Sequence, residues 1–211
     1  MKYLLFTFLL LLADISHAQK VTLSFQPSLK EVKAEIETLQ FYISNIQLQH
    51  NNQPIFKEEN SYHLIDLEDT SSLEIVLDVS DSIQFSVLTF SLGIDSLTNV
   101  SGAFGGDLDP TNGMYWTWQS GYINFKLEGL APECPARQHR FQFHIGGYQA
   151  PYNSLQQISF PIYNQRTIDI QLSLHQLFNR IDLKEQYQIM GPSIKAVEFS
   201  KVLKTLFSIS S

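Results

Sequence analysis

The side chains with the most distinctive chemistry in this chain are its two tryptophans, Trp116 and Trp118, which stand two residues apart within Asp107-Leu-Asp-Pro-Thr-Asn-Gly-Met-Tyr-Trp-Thr-Trp-Gln-Ser-Gly-Tyr-Ile-Asn-Phe-Lys-Leu-Glu-Gly129. If residues 115 to 119 are extended, both indoles project from one face and Tyr115, Thr117 and Gln119 from the other. An indole donates one hydrogen bond and ligates metals poorly. The pair therefore suits a hydrophobic plug, a stacking platform for sugar rings, or a substrate for oxidation.

Histidines are the next candidates. His50, His63, His139, His144 and His175 follow the leader segment, and no two lie at a close ligand spacing on one strand face. His144 stands out because it projects away from Phe141, Phe143 and Ile145 just before a Gly-Gly turn. His63 stands out within a strand, between Tyr62 and Leu64. Asp107 and Asp109 resemble part of a calcium loop, but Asn112 falls one residue late and the closing Glu is missing, which favours turn formers before Pro110. Hydrolase elbows, His-Glu-x-x-His and phosphate-cradling Gly-rich motifs are absent. Cys134 is the only cysteine, so no internal disulfide forms. In Ala-Pro-Glu-Cys-Pro it reads as a structural thiol in a loop, with an intermolecular disulfide or a soft metal ligand as alternatives.

The elements that must carry these residues are mostly strands. Val21, Leu23 and Phe25 alternate with Thr22 and Ser24, the period of a half-buried strand. Further strands are expected at 39–49, with Tyr42, Ile46 and Leu48 on one face and Phe41 and Ile43 on the other, and at 62–67, 73–77 and 83–92. Others follow near 121–128, with Ile123, Phe125 and Leu127 inward, and at 139–145, 156–160 and 167–172. Residues 29–38 could form a brief helical turn, or equally an exposed connection or an edge strand. Residues 51–54 mark a turn, and the glycine-rich run 93–113 a long functional or disordered loop. Leu174 to Phe178 reads as one helical turn, and Ile194 to Phe207 has the spacing of an amphipathic helix. Turn signals about every ten residues predict one all-β domain, an antiparallel β-sandwich of immunoglobulin-like or Greek-key type with a C-terminal helix.

Residues 1–18 carry the marks of a cleaved signal peptide: Met1-Lys2, a short apolar run, and Ser16-His17-Ala18. The run is too short for a membrane span. An exported domain over 19–211, periplasmic or extracellular, is the expectation, with no membrane span after cleavage. The formal charge of -7 and the lack of any basic run disfavour nucleic acid.

Three segments together resemble the MbnP-like copper-binding family associated with methanobactin operons. They are Phe-Ser-Leu-Gly-Ile-Asp-Ser-Leu-Thr-Asn (90–99), the tryptophan segment (108–129) and Phe-Gln-Phe-His-Ile-Gly-Gly-Tyr (141–148). The resemblance implies a non-catalytic β-sandwich that binds copper(I) through histidines and a kynurenine, made from tryptophan by a partner di-haem peroxidase of MbnH type. Carried onto this chain, Trp116 or Trp118 is the modified residue, and His63 and His144 are the metal ligands. A histidine that members carry beside the tryptophan is replaced by Tyr115, Thr117 and Gln119. The alternative is a carbohydrate or hydrophobic-ligand module that stacks its ligand on Trp116, Trp118 and Tyr122.

Overall fold

The computed structural model describes residues 18–81 and 83–210. The expected signal segment lies outside them apart from Ala18, where the first strand begins. In chain order the elements are β1 (Ala18–Ser28), β2 (Glu35–His50), β3 (Gln53–Lys57), β4 (Tyr62–Asp66), β5 (Glu74–Ser80), β6 (Val87–Leu92), α1 (Ser96–Ser101), β7 (Tyr115–Trp116) and β8 (Gly121–Leu130). They continue with β9 (Arg140–Gly146), β10 (Gln156–Pro161), β11 (Thr167–Ser173), α2 (Leu174–Phe178), β12 (Gln188–Ile189), α3 (Ile194–Lys204) and β13 (Phe207–Ile209).

Two sheets form the sandwich. The smaller runs β13-β11-β1-β5, and the larger β10-β6-β2-β8-β9-β12, with β3 and β4 added on β2 and β7 on β8. Most neighbours are antiparallel, as the turn spacing predicts. Two pairings run parallel, β1 with β11 and β9 with β12, and each joins strands separated by a connection long enough for a crossover. Val21, Leu23 and Phe25 face Ile168, Ile170 and Leu172 within the main core, which also takes Phe41, Ile43, Phe125, Leu127, Phe141 and Phe143 from the larger sheet. Each such side chain contributes roughly 1.5–3 kcal/mol on burial.

Simple alternation fails where strands bulge. In β2 the register slips between Ser44 and Gln47, around Asn45 at φ 53°. The inserted residue turns Ile46 and Leu48 onto the face of Phe41 and Ile43, leaving Tyr42 alone on the opposite side. A second slip between Ile123 and Phe125 does the same in β8, where Phe125 and Leu127 stay in the main core and Ile123 joins a separate outer cluster.

Other boundaries move for local reasons. The turn expected at 51–54 falls on Asn51 and Asn52, and β3 begins at Gln53. It is an edge strand with only Phe56 partly covered, so burial writes no alternation there, and Pro54 is tolerated at an edge. The strand expected from Ile83 starts at Val87. The helix expected to Phe207 ends at Lys204, and Phe207 instead pairs with Leu172 in β13 and packs edge-on to Phe41. A short apolar run fits either period, and the free edge of β11 decides between them. Among the described residues no helix is long and apolar enough to cross a membrane.

Candidate functional site

The outer face of the larger sheet carries its own small core. Tyr42, Ile94, Leu108, Met114, Trp116, Tyr122 and Ile123 form a cluster separate from the sandwich interior. Residues 93–113 cover it, and they are folded: Asp95 caps α1 through its contact with Thr98, and two 3-10 turns follow at Gly106–Leu108 and Pro110–Asn112. The cover is stitched to the sheet by polar groups. Tyr42 donates to the Asp107 carbonyl at 2.9 Å, and Asn99 accepts from the Tyr122 amide at 2.8 Å. Burial, then the nearby Tyr122, Asp107 and Asp109, push the Tyr42 hydroxyl far above its usual range, so it remains a donor. Asp109 spends its carboxylate on the amide and hydroxyl of Thr111, and Asp107 accepts from the Leu64 amide. Both therefore act as local turn and loop ties.

The tryptophan segment is a hairpin, not an extended run. Tyr115 and Trp116 pair with Tyr122 and Gly121, and residues 117–120 turn through Ser120 at φ 52°. The turn separates the fates of the two indoles. Trp116 is 6 % exposed and Trp118 is 68 % exposed, with their rings 5.9 Å apart. Trp116 lies on Gly146 of β9, where an added Cβ would come within 2.6 Å of its ring. Trp118 reaches across β9 to Gly191, 3.3 Å from the position of a Cβ there.

His144 is two residues before Gly146 on the same outer face of β9, about 7 Å along the strand. It is 9 % exposed, and its Nε2 meets Glu128 Oε1 of β8 at 2.5 Å. Lys126 lies opposite His144 in register and turns its ammonium to the Gly113 carbonyl. Burial lowers the His144 pKa and outweighs the opposing pull of Glu128. Burial also acts to raise Glu128, but the hydrogen bond and charge of His144, with Lys126 and Gln142, leave it below its usual value. A neutral imidazole donating Nε2–H to an ionised Glu128 keeps its Nδ1 lone pair available, which is the arrangement of an oriented metal-ligating histidine.

Acidification should therefore weaken the fold. The unfolded chain binds a proton at His144 that the folded protein excludes, so stability is complete above about pH 6.5 and falls as the pH drops through the lowered folded value. Glu128 adds a further loss below the ordinary carboxylate range. Denaturant midpoints measured from pH 7.5 down to pH 5 should fall, and more shallowly in His144→Gln; equal slopes for the two proteins would remove His144 as the source.

His63 belongs to a different place. It shares the Ile65 side of β4, the side of the sheet opposite His144, with its Nε2 on Glu58 at 2.8 Å. β4 and β9 are also three strand spacings apart through β2 and β8, about 14 Å. The structure brings Trp116, Trp118 and His144 together and leaves His63 out. Among the described residues, no group of three or more His, Cys, Asp or Glu side chains is placed to hold a metal. Cys134 is buried and its thiol donates to the Arg140 carbonyl at 3.1 Å, a structural role. Glu128 and Gly146 escape a reading of the sequence, because their roles depend on which strands are neighbours. Only the shared parity of His144 and Gly146 is visible in the chain itself.

Comparison with known proteins adds two findings. The MbnP family profile matches residues 13–194. Among solved structures, MbnP from Methylosinus trichosporium superposes with a TM-score of 0.57 at 16 % identity, over 80 % of each chain. No curated protein matches the chain.

Proposed function

Since the chain belongs to the MbnP family, we propose that it is an exported, non-catalytic copper(I)-binding protein whose site lies on the outer face of β8 and β9. His144 supplies an imidazole nitrogen, held in its tautomer by Glu128. Trp118 is the residue converted to kynurenine by a di-haem peroxidase of MbnH type. Oxidative cleavage of the indole C2–C3 bond, a four-electron step that consumes two molecules of hydrogen peroxide and releases two of water, followed by hydrolytic loss of the formyl carbon as formate, leaves an aryl amine and a ketone. Both can donate where the indole could not. The observation that carries this reading is the placement of Trp118, exposed on a turn with its ring tilted against that of buried Trp116, beside the strand that presents His144. The donor chemistry suits the ion: imidazole binds copper well, and the neighbouring aromatic surface limits water. His63 takes no part.

Intact-protein and peptide mass spectrometry of native protein from its source cells should find kynurenine at position 118, and that protein should bind Cu(I) stoichiometrically. Unmodified tryptophan at both positions, with no Cu(I) bound, would sink the proposal.

A second reading is favoured by one observation. Beside Trp118 lies a shallow cleft of about 280 Å³ lined by Gln119, Tyr148, Gln149, Tyr152 and Pro192. An exposed indole flanked by tyrosines and amides is the chemistry of a sugar subsite. Trp116 and Tyr122 are buried, so Trp118 is the stacking ring in this version. Saturable quenching of tryptophan fluorescence by a glycan in metal-free protein, lost in Trp118→Ala, would favour it over copper.

A further inference from the structure

We propose that Met190 is a second ligand of the same outer-face site, so that the site takes a soft monovalent cation, Cu(I) or Ag(I), through His144 Nδ1 and the Met190 thioether beneath Trp118. The inference rests on the reading of that face as a metal site and adds a donor that no histidine pattern reveals.

β12 pairs in parallel with β9, Gln188 opposite Gln142 and Ile189 opposite Phe143. Gln188 and Gln142 also join side chain to side chain on the outer face, while Ile189 and Phe143 both enter the main core. β12 ends at Ile189, and extending its register by one residue sets Met190 beside His144. It has the parity of Gln188, as His144 has that of Gln142, so both project outward. Neighbouring strands lie about 4.8 Å apart, a separation that a flexible thioether and an imidazole span to meet at one ion.

The surroundings agree. Met190 is 39 % exposed although it is a large apolar side chain, whereas Met114 is fully buried in the outer cluster. Trp118 closes over Gly191, the next residue, and Trp116 over Gly146, two residues beyond His144. The indoles thus bound the His144–Met190 pair on one side, where an aromatic face attracts a cation. Glu128 supplies the negative charge behind His144, and the Lys126 ammonium is held at the Gly113 carbonyl. One imidazole and one thioether, without a free carboxylate, select a soft ion against Ca(II) or Mg(II).

The test uses the chain carrying [methyl-13C]methionine, unmodified at both tryptophans, with Ag(I) as the redox-inert probe and Cu(I) under reductant in competition with a chromophoric chelator. One equivalent of Ag(I) should shift the Met190 methyl resonance, leave that of Met114 in place, and quench the Trp118 emission. Met190→Leu should weaken both ions at least tenfold while the folded spectrum is kept, and Met190→His should restore Cu(I). An unmoved Met190 methyl, or Met190→Leu binding within twofold of the parent, overturns the inference. If His144→Gln alone abolishes binding, this proposal fails and the copper reading survives. If neither the unmodified nor the kynurenine-containing protein binds Cu(I), both fail.

Discussion

Trp116→Ala should cost about 3–5 kcal/mol of unfolding free energy, the range for removing a buried aromatic, whereas Trp118→Ala should change stability by no more than about 0.5 kcal/mol. The asymmetry follows from one turn. Trp116 is 6 % exposed, belongs to the outer cluster with Tyr42, Met114 and Tyr122, and covers Gly146. Deleting it opens the space between the hairpin and β9, and the cover formed by residues 93–113 loses the ring it closes on. Trp118 keeps most of its surface in water and contributes chiefly to the site. Urea titration of the two variants, followed by far-ultraviolet circular dichroism, separates the roles. Comparable losses in both would mean that Trp118 also supports the fold. Cu(I) binding measured on the folded Trp118 variant would then report on the site without a stability term.

The second large effect is expected at Asn124. Its side chain accepts from the Ile94 amide and donates to the Ser154 hydroxyl, both at 2.9 Å and both buried. Gly93 packs so closely that an added Cβ would fall 2.3 Å from the Asn124 Cγ. Asn124 thus joins the start of the cover at residue 94 to the loop after β9, through the bulge that reassigns Ile123. Asn124→Leu keeps a similar shape and leaves the Ile94 N–H buried without an acceptor, which should cost about 1–3 kcal/mol. Hydrogen exchange should speed up first at residues 93–113, ahead of the sandwich strands, if the loss is local to the cover. Uniform acceleration across β1, β5 and β11 would contradict that assignment.

How far this architecture is legible from the chain can be judged at particular residues. Val21, Leu23 and Phe25, and equally Ile168, Ile170 and Leu172, announce half-buried strands because one face of each meets the core and the other meets water. The short helix Leu174–Phe178 and the onset of α3 at Ile194 are readable for the same reason. Tyr42 and Ile46 are misassigned to one face because a bulge at Asn45 adds a residue that no periodicity encodes. α1 is hidden by the glycines around it, although Asp95 before Thr98 is a capping signal.

For the site, the chain alone determines the ingredients: two tryptophans two residues apart, His144 and Gly146 on one strand face, and a segment resembling a family of copper-binding proteins. These are local facts, set by residue identity and the two-residue repeat of a strand. Tertiary structure alone decides that Trp116 is core and Trp118 surface, that Glu128 holds His144, and that His63 lies on the other side of the sheet. It also decides that β12, more than forty residues along the chain, pairs with β9. Those outcomes depend on strand order, bulges and one turn, which are fixed by contacts between distant segments that compete for the same apolar surface and backbone hydrogen bonds.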